Sequence, residues 1–351
     1  MTGSQPKIRL WGAKTPIVAR LQANLLVGPR ASLAKLKPAY SILKSLSSKV
    51  LFVMSKTPVL ILAHRRLHEF KLVFDRVKAS GARQIYVFCD GPRDIAEERA
   101  QRAIFDYTRS GDEHTGVRTN FQRTNLGLRR AVITGIDWFF ANEESGIILE
   151  DDTLPTEQFF SFCDEGLGRY RGDSEVQQIS GYNSVSRGFS VFLPSNTNFL
   201  SPRMNCWGWA TWRDRWQDFR PNVTFESATH TALHGPKGLE QELRAGHERA
   251  VAGDVNSWAY SWAYYALSKG LLSLVPSVNM VENIGFGPQA SNTKQGASAK
   301  TGSQRTDTRY PTENKISERF ALLEHVQARL QRIRFRVQKR SEKIFAWLSV
   351  V

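Results

Sequence analysis

Three carboxylates in succession, Glu150, Asp151 and Asp152, close the apolar run Gly146-Ile147-Ile148-Leu149. Adjacent carboxylates repel and raise one another's pKa unless a cation or strong donors share the site. The triplet therefore suits a divalent cation, and a cation held there can grip a diphosphate. A solvated acidic turn at a strand end uses the same residue types, so position must separate the two readings. Two further polar residues follow apolar runs in the same way: Arg65 after Val59–Ala63, and Asp90 after Ile85–Cys89. A guanidinium offsets phosphate charge, and a carboxylate accepts from a base or a ribose hydroxyl. The chain has no Gly-x-x-x-x-Gly-Lys and no Gly-x-Gly-x-x-Gly, which excludes the P-loop and dinucleotide fingerprints.

Aromatic residues form a second constellation. Trp207-Gly208-Trp209 is followed by Trp212, Trp216 and Ser257-Trp258-Ala259-Tyr260-Ser261-Trp262. Indole faces pack on the apolar faces of sugars and the ring N–H donates to hydroxyls, so Trp207, Gly208 and Trp209 are candidates for a sugar or acceptor contact. Trp212 and Trp216 are equally well explained as core.

The elements that must position these residues alternate. Val59–Ala63 reads as a buried strand, 68–79 as a helix, 85–90 as a strand, and 95–107 as a helix. A strand at 117–121 and a helix at 128–140 precede the acidic strand, and a helix at 159–170 and a strand at 176–181 follow it. Right-handed crossovers between such units give a mainly parallel sheet with flanking helices. That arrangement places residues 63–65, 89–91 and 149–152 on one sheet edge, where open α/β sheets bind ligands.

In this order Thr57-Pro58-Val59-Leu60-Ile61 with Arg65, Phe88-Cys89-Asp90-Gly91, Asn125-Leu126-Gly127, Leu149-Glu150-Asp151-Asp152 and Trp207-Gly208-Trp209 resemble the GT-A fold nucleotide-sugar glycosyltransferases. The closest likeness is to bacterial polysaccharide-type members related to N-acetylglucosaminyltransferases, of glycosyltransferase family 2 type, over about residues 57–290. The resemblance implies an α/β GT-A domain that moves a sugar, with inversion, from a nucleotide-diphosphate donor to a glycan or lipid-linked acceptor. It implies Asp152 as the direct Mn²⁺ or Mg²⁺ ligand, Glu150 and Asp151 as contacts to ribose and metal-bound water, and Asp90 at the base. Arg65, Asn125 and Arg129 would line the donor pocket. Inversion requires a carboxylate to deprotonate the acceptor hydroxyl. The matching late motif has Ala259 where relatives often place that acid, so Asp254 is the substitute candidate, with Asp214 and Glu226 as alternatives. Asn283-Ile284-Gly285-Phe286-Gly287 resembles the closing strand and turn; downstream, Ser291-Asn292-Thr293 stands where a metal-binding His is common. These departures leave a second reading, a catalytically impaired glycan- or nucleotide-sugar-binding protein of the same fold.

The 351 residues carry a net charge of +15 that belongs to the ends. Residues 1–56 hold ten Lys/Arg and no acid, and residues 294–351 hold thirteen against five, whereas 57–293 is slightly acidic. The sequence divides accordingly into a basic N-terminal extension (1–56), the GT-A domain (57–293), a Ser/Thr/Gly-rich linker (294–315) and a basic amphipathic helix (316–351). Apolar positions threaded through Arg and Lys at both ends predict contact with an anionic membrane surface, and no nucleic-acid motif accompanies them. No apolar run is long enough for a membrane span, and residues 1–12 lack a signal-peptide core. The expected location is cytoplasmic and peripheral, at the inner face of the cell membrane. Cys89, Cys163 and Cys206 are distant and odd in number, which disfavours a disulfide framework.

Overall fold

The computed structural model describes residues 55–110, 116–219 except 186 and 195, 236–286 except 237, 301–302, 308–330 except 314, and 333. The N-terminal extension up to residue 54 and most of the predicted linker lie outside the described residues. Strands β1 (Val59–Ala63), β2 (Ile85–Cys89), β3 (Val117–Phe121) and β4 (Ser145–Glu150) alternate with helices α1 (Leu67–Ala79), α2 (Ile95–Arg109) and α3 (Leu128–Asn142). After β5 (Thr153–Pro155) come α4 (Glu157–Arg169), β6 (Val176–Ser180), the single-turn α5 (Arg187–Ser190) and β7 (Phe199–Ser201). Then follow β8 (Trp209–Trp212), α6 (Arg213–Asp218), α7 (Leu239–Val251), α8 (Ala259–Ser268), β9 (Leu272–Val275) and β10 (Val281–Asn283). The alternating half agrees with the periodicity within one to three residues at each boundary.

The eight-stranded sheet has the order β3-β2-β1-β4-β8-β6-β9-β7. β1 pairs in parallel with both β2 and β4, β2 with β3, and β6 with β9; β8 and β7 run the other way. The fold is α/β with a mainly parallel central sheet. β1 is buried at every residue because helices cover both faces. Val59, Ile61 and Ala63 join α1, α2 and α4 on one side, and Leu60 and Leu62 join α3, α7 and α8 on the other. The period-two alternation of side chains thus splits one strand between two cores.

The aromatic second half builds elements that its pattern did not reveal. Trp209–Trp212 is an antiparallel strand wedged between β4 and β6. Trp209 is 1% exposed and stacks on Trp258 at 5.7 Å, with Trp262 at 5.5 Å between ring centroids. Residues 318–330 form a last helix, α9. Its Phe320 is fully buried and stacks on Phe199 of β7 at 4.5 Å. Of the predicted 316–351 helix, the described part is therefore packed on the domain, and the rest lies outside the described residues. Among the described residues no helix is long and apolar enough to cross a membrane. The three cysteines are free thiols.

Candidate functional site

The parallel register brings three strand ends together. Leu62 lies opposite both Phe88 and Glu150, the amide of Asp90 donates to Ala63 O, and that of Asp151 donates to Leu62 O. Above this edge opens a cleft of about 880 Å³. Its lining includes Arg65, Asp90, Asn125, Glu150, Asp151, Asp152 and Trp207 from the predicted set. The convergence expected of one sheet edge is thus present in the structure.

Asp151 and Asp152 are 6% and 5% exposed, and both face Arg66. Nη1 of Arg66 is 3.4 Å from Asp151 Oδ1 and makes a short contact with Asp152 Oδ2. Asp151 Oδ2 also accepts from the amide of His64. Burial, with repulsion from Asp152 and Asp151, pushes Glu150 up to about 8, and burial with repulsion from Asp152 pushes Asp151 up to about 7. Burial also raises Asp152, against the opposing pull of Arg66. The remaining oxygen, Asp152 Oδ1, is buried and has no hydrogen-bond partner. A buried carboxylate oxygen without a donor, among three carboxylates held above their ordinary pKa, is an arrangement that a cation would stabilise.

Among the described residues no three His, Cys, Asp or Glu side chains converge as a complete ligand set. The two buried carboxylates Asp151 and Asp152, one with an unpartnered oxygen, have the chemistry of a site for Mg²⁺ or Mn²⁺, a cation of the kind that takes one or two carboxylates from protein and fills its other positions with phosphate oxygens and water. Asp152 would hold it, with Asp151 alongside. The backbone shapes the place: Ile284 N donates to Asp152 O, and a Cβ on Gly285 would collide with the Asp152 carboxylate. The Asn283-Ile284-Gly285 turn thus closes over the acid.

Asp90 has a different occupation. Its carboxylate accepts from the amides of Gly91, Leu126 and Gly127 and from Asn125 Nδ2 at 2.8–3.1 Å. Asn125 Nδ2 also donates to Gly91 O. The two residues staple the end of β2 to the turn that starts α3, and the cleft wall is the product.

Several predicted residues lie elsewhere. Arg129 donates from Nη1 to Ala250 O and from its amide to Asn256 Oδ1, tying α3 to the end of α7 outside the cleft lining. Trp209 is a core residue, because the strand it begins turns it into the cluster between sheet and α8. Gly208 is buried with φ +63°, and a Cβ there would meet Val281 Cγ2 at 2.8 Å. Its role is to turn the chain from cleft to core, not to meet a sugar. Trp207 alone of the three lines the cleft, edge-on to Tyr182 at 4.8 Å and to Phe286 at 6.0 Å. Asp254 is exposed on the turn after α7, outside the cleft lining, as is Asp214 on α6. Glu226 and residues 291–293 lie outside the described residues. Ala259 does line the cleft, beside Asn256, Ser257 and Trp258.

The sequence singles out Arg65 rather than Arg66 and places His64 at the edge without a role, and it gives no sign of Arg93 or Glu97 as site residues. Glu97 is 4% exposed and accepts from Arg65 and Arg93, and its carboxylate is held down at about 2, chiefly by the hydrogen bonds from Arg93. Its signal was present as a helix start: Asp94 caps α2 by accepting from Glu97 N, the D-x-x-E spacing of a capping box. Arg66 had no such signal, since only the fold decides which of two adjacent arginines turns towards the acids.

No protein-family model matches the chain, and no curated protein resembles it in sequence. Solved structures overlap it at low similarity. A 4-diphosphocytidyl-2C-methyl-D-erythritol synthase from Anaerococcus prevotii is 9% identical, with 64% of this chain and 89% of that chain covered and a TM-score of 0.33. A UDP-glucose pyrophosphorylase is 10% identical, with 65% and 93% covered and a TM-score of 0.32. A glucosyl-3-phosphoglycerate synthase from Mycobacterium tuberculosis, solved with Mn²⁺, UDP and phosphoglyceric acid, is 12% identical, with 54% and 62% covered and a TM-score of 0.26. No family assignment follows from likeness at this level.

Proposed function

We propose that this chain is a GT-A type glycosyltransferase that binds a nucleotide-diphosphate sugar through a divalent cation and transfers the sugar to a glycan or lipid-linked acceptor, with inversion. The observation that supports it most is the buried Asp152 oxygen without a partner, facing a cleft in which Arg66 already shares the acidic pair. In that cleft Asp152 holds the cation, Arg66 and Arg93 offset diphosphate charge, and Trp207 with Tyr182 offers an aromatic wall to a sugar. The cation would supply charge neutralisation for the departing diphosphate.

Equilibrium binding of UDP, GDP and TDP, with and without Mn²⁺, tests this reading. Micromolar affinity that Mn²⁺ strengthens by about tenfold, about 1.4 kcal/mol, and that Asp152→Ala loses, is the expected result. Negligible affinity for all three nucleotides under both conditions sinks it. Ala259 in the lining favours a second reading, a binding protein of the same fold without turnover: the described cleft carboxylates, Asp90, Glu150, Asp151 and Asp152, all come from the donor-side strand ends. Nucleotide release from a panel of sugar donors separates the two, since the binding protein gives tight binding and no release.

A further inference from the structure

Helix α9 is buried along one face and carries exposed apolar side chains on the other. Its inward face carries Phe320, Ala321, Glu324 and Gln327, all buried. Glu324 accepts from Ser184 Oγ at 3.0 Å, Ser201 Oγ at 2.6 Å and Asn205 Nδ2 at 3.2 Å, and Ser184, Asn205 and Ala328 line the cleft. On the opposite side, positions 319, 322, 326, 329 and 330 fall within an arc of about 100°. There Leu322 and Leu330 are 55% and 44% exposed, and Ile333, beyond that span, is 48% exposed. Globular helices ordinarily turn charge to water on that side.

A second exposed apolar element adjoins it. Val191 and Phe192, just after α5, are 75% and 59% exposed. Arg319 Nη1 donates to Phe192 O at 3.4 Å, while Phe189 and Leu193 pack into the cluster formed by Phe199 and Phe320. In sequence the helix runs into charge of largely one sign: Arg329, Arg332, Arg334, Arg336, Lys339, Arg340 and Lys343 stand against Glu342 alone between residues 329 and 343. Exposed apolar side chains beside a positive run complement an anionic lipid headgroup layer over acyl chains.

We infer that the outward face of α9, with Leu322 and Leu330, together with Ile333 and the Val191-Phe192 tip, is the surface that seats this protein on an anionic bilayer. Because the inward face of the same helix holds the cleft wall, docking brings that wall to the lipid, where a lipid-linked acceptor is presented. The acceptor clause rests on the transferase reading above; the docking surface does not.

Sedimentation of the full chain with phosphatidylcholine vesicles, with and without phosphatidylglycerol, tests the inference. The wild-type chain should partition onto the phosphatidylglycerol vesicles and be released by high salt. The doubly substituted Leu322→Glu, Leu330→Glu chain should lose at least about tenfold in partition, and Phe192→Ser should weaken it through the second element. UDP binding measured on the same preparations stays at the wild-type value and shows that the variants are folded. Equal partition of wild-type and Leu322→Glu, Leu330→Glu chains overturns the inference. So does a wild-type dimer in solution that the same pair dissociates, because a second copy then covers the face. Loss of UDP binding in every chain, wild type included, would count against the transferase reading and leave the vesicle result standing.

Discussion

At the scale of single residues, protonation of the acidic cluster couples stability to pH. Burial raises Glu150 from its ordinary 4.5 to about 8 and Asp151 from 3.8 to about 7. Between those limits the folded protein holds protons that the unfolded chain has lost, so stability falls as pH rises, by at most about 1.4 kcal/mol per pH unit for each group. Thermal melts of the metal-free protein should show the midpoint dropping from pH 5 to pH 8 and levelling above it. Glu150→Gln should flatten that slope; an unchanged slope would place the protons elsewhere. Cation binding competes with the same protons, so Mn²⁺ affinity should rise across the same range. Asp90 has a structural part, since its carboxylate accepts from Asn125 Nδ2 and three backbone amides. Asp90→Ala strands the amides of Leu126 and Gly127 and should cost at least about 2 kcal/mol in urea denaturation. A loss of nucleotide binding with unchanged stability would instead assign Asp90 to the base.

At the scale of elements, legibility followed period and local chemistry. β1, β2, β3 and the helices between them were readable because buried parallel strands are continuous apolar runs and the helices carry a 3.6-residue stripe. Arg65, Asp90 and the acidic triplet were readable as cleft residues because right-handed crossovers send those strand ends to one edge, and Asn125 was readable only through the family resemblance. Trp209 and Arg129 were misplaced for the complementary reason: a strand wedged antiparallel between distant partners, and a helix tied to a segment about 120 residues away, leave no local period. Trp207 and Trp209 are two positions apart, and the positive φ of Gly208 sends one to the cleft and the other to the core. The turn over Asp152 depends on a glycine as well. Gly285→Ala should push the carboxylate aside and remove the Mn²⁺-dependent part of nucleotide binding, while circular dichroism stays as in the wild type. Unaltered Mn²⁺ dependence would show that the turn yields instead.

At the scale of the molecule, the segment read as a basic amphipathic helix for a membrane surface is in its described part also packed into the domain. Phe320 is fully buried against Phe199, Val275 and Val185. Phe320→Ala should cost about 3–5 kcal/mol by cavity formation. Equilibrium unfolding measures it, and a change below about 1 kcal/mol would mean that α9 is only loosely held. Glu324, fixed by three donors from β7 and the flanking loops, carries the same dependence into the cleft lining. The cleft is thus assembled from strand ends between residues 62 and 152, the start of α3, the segments 182–184, 203–207 and 256–259, and Ala328 of α9.

The order of strands and helices in the first half and the gathering of carboxylates at one edge were determined by the sequence itself. Burial period and crossover handedness are local properties of a chain, and together they specify which ends meet. Only the tertiary structure decided that Arg66 rather than Arg65 faces the acids, that Asp90 is a staple, that Asp254 stands outside the cleft, and that α9 is one of its walls. Those outcomes depend on contacts between segments far apart in the chain, for which neither periodicity nor spacing leaves a mark.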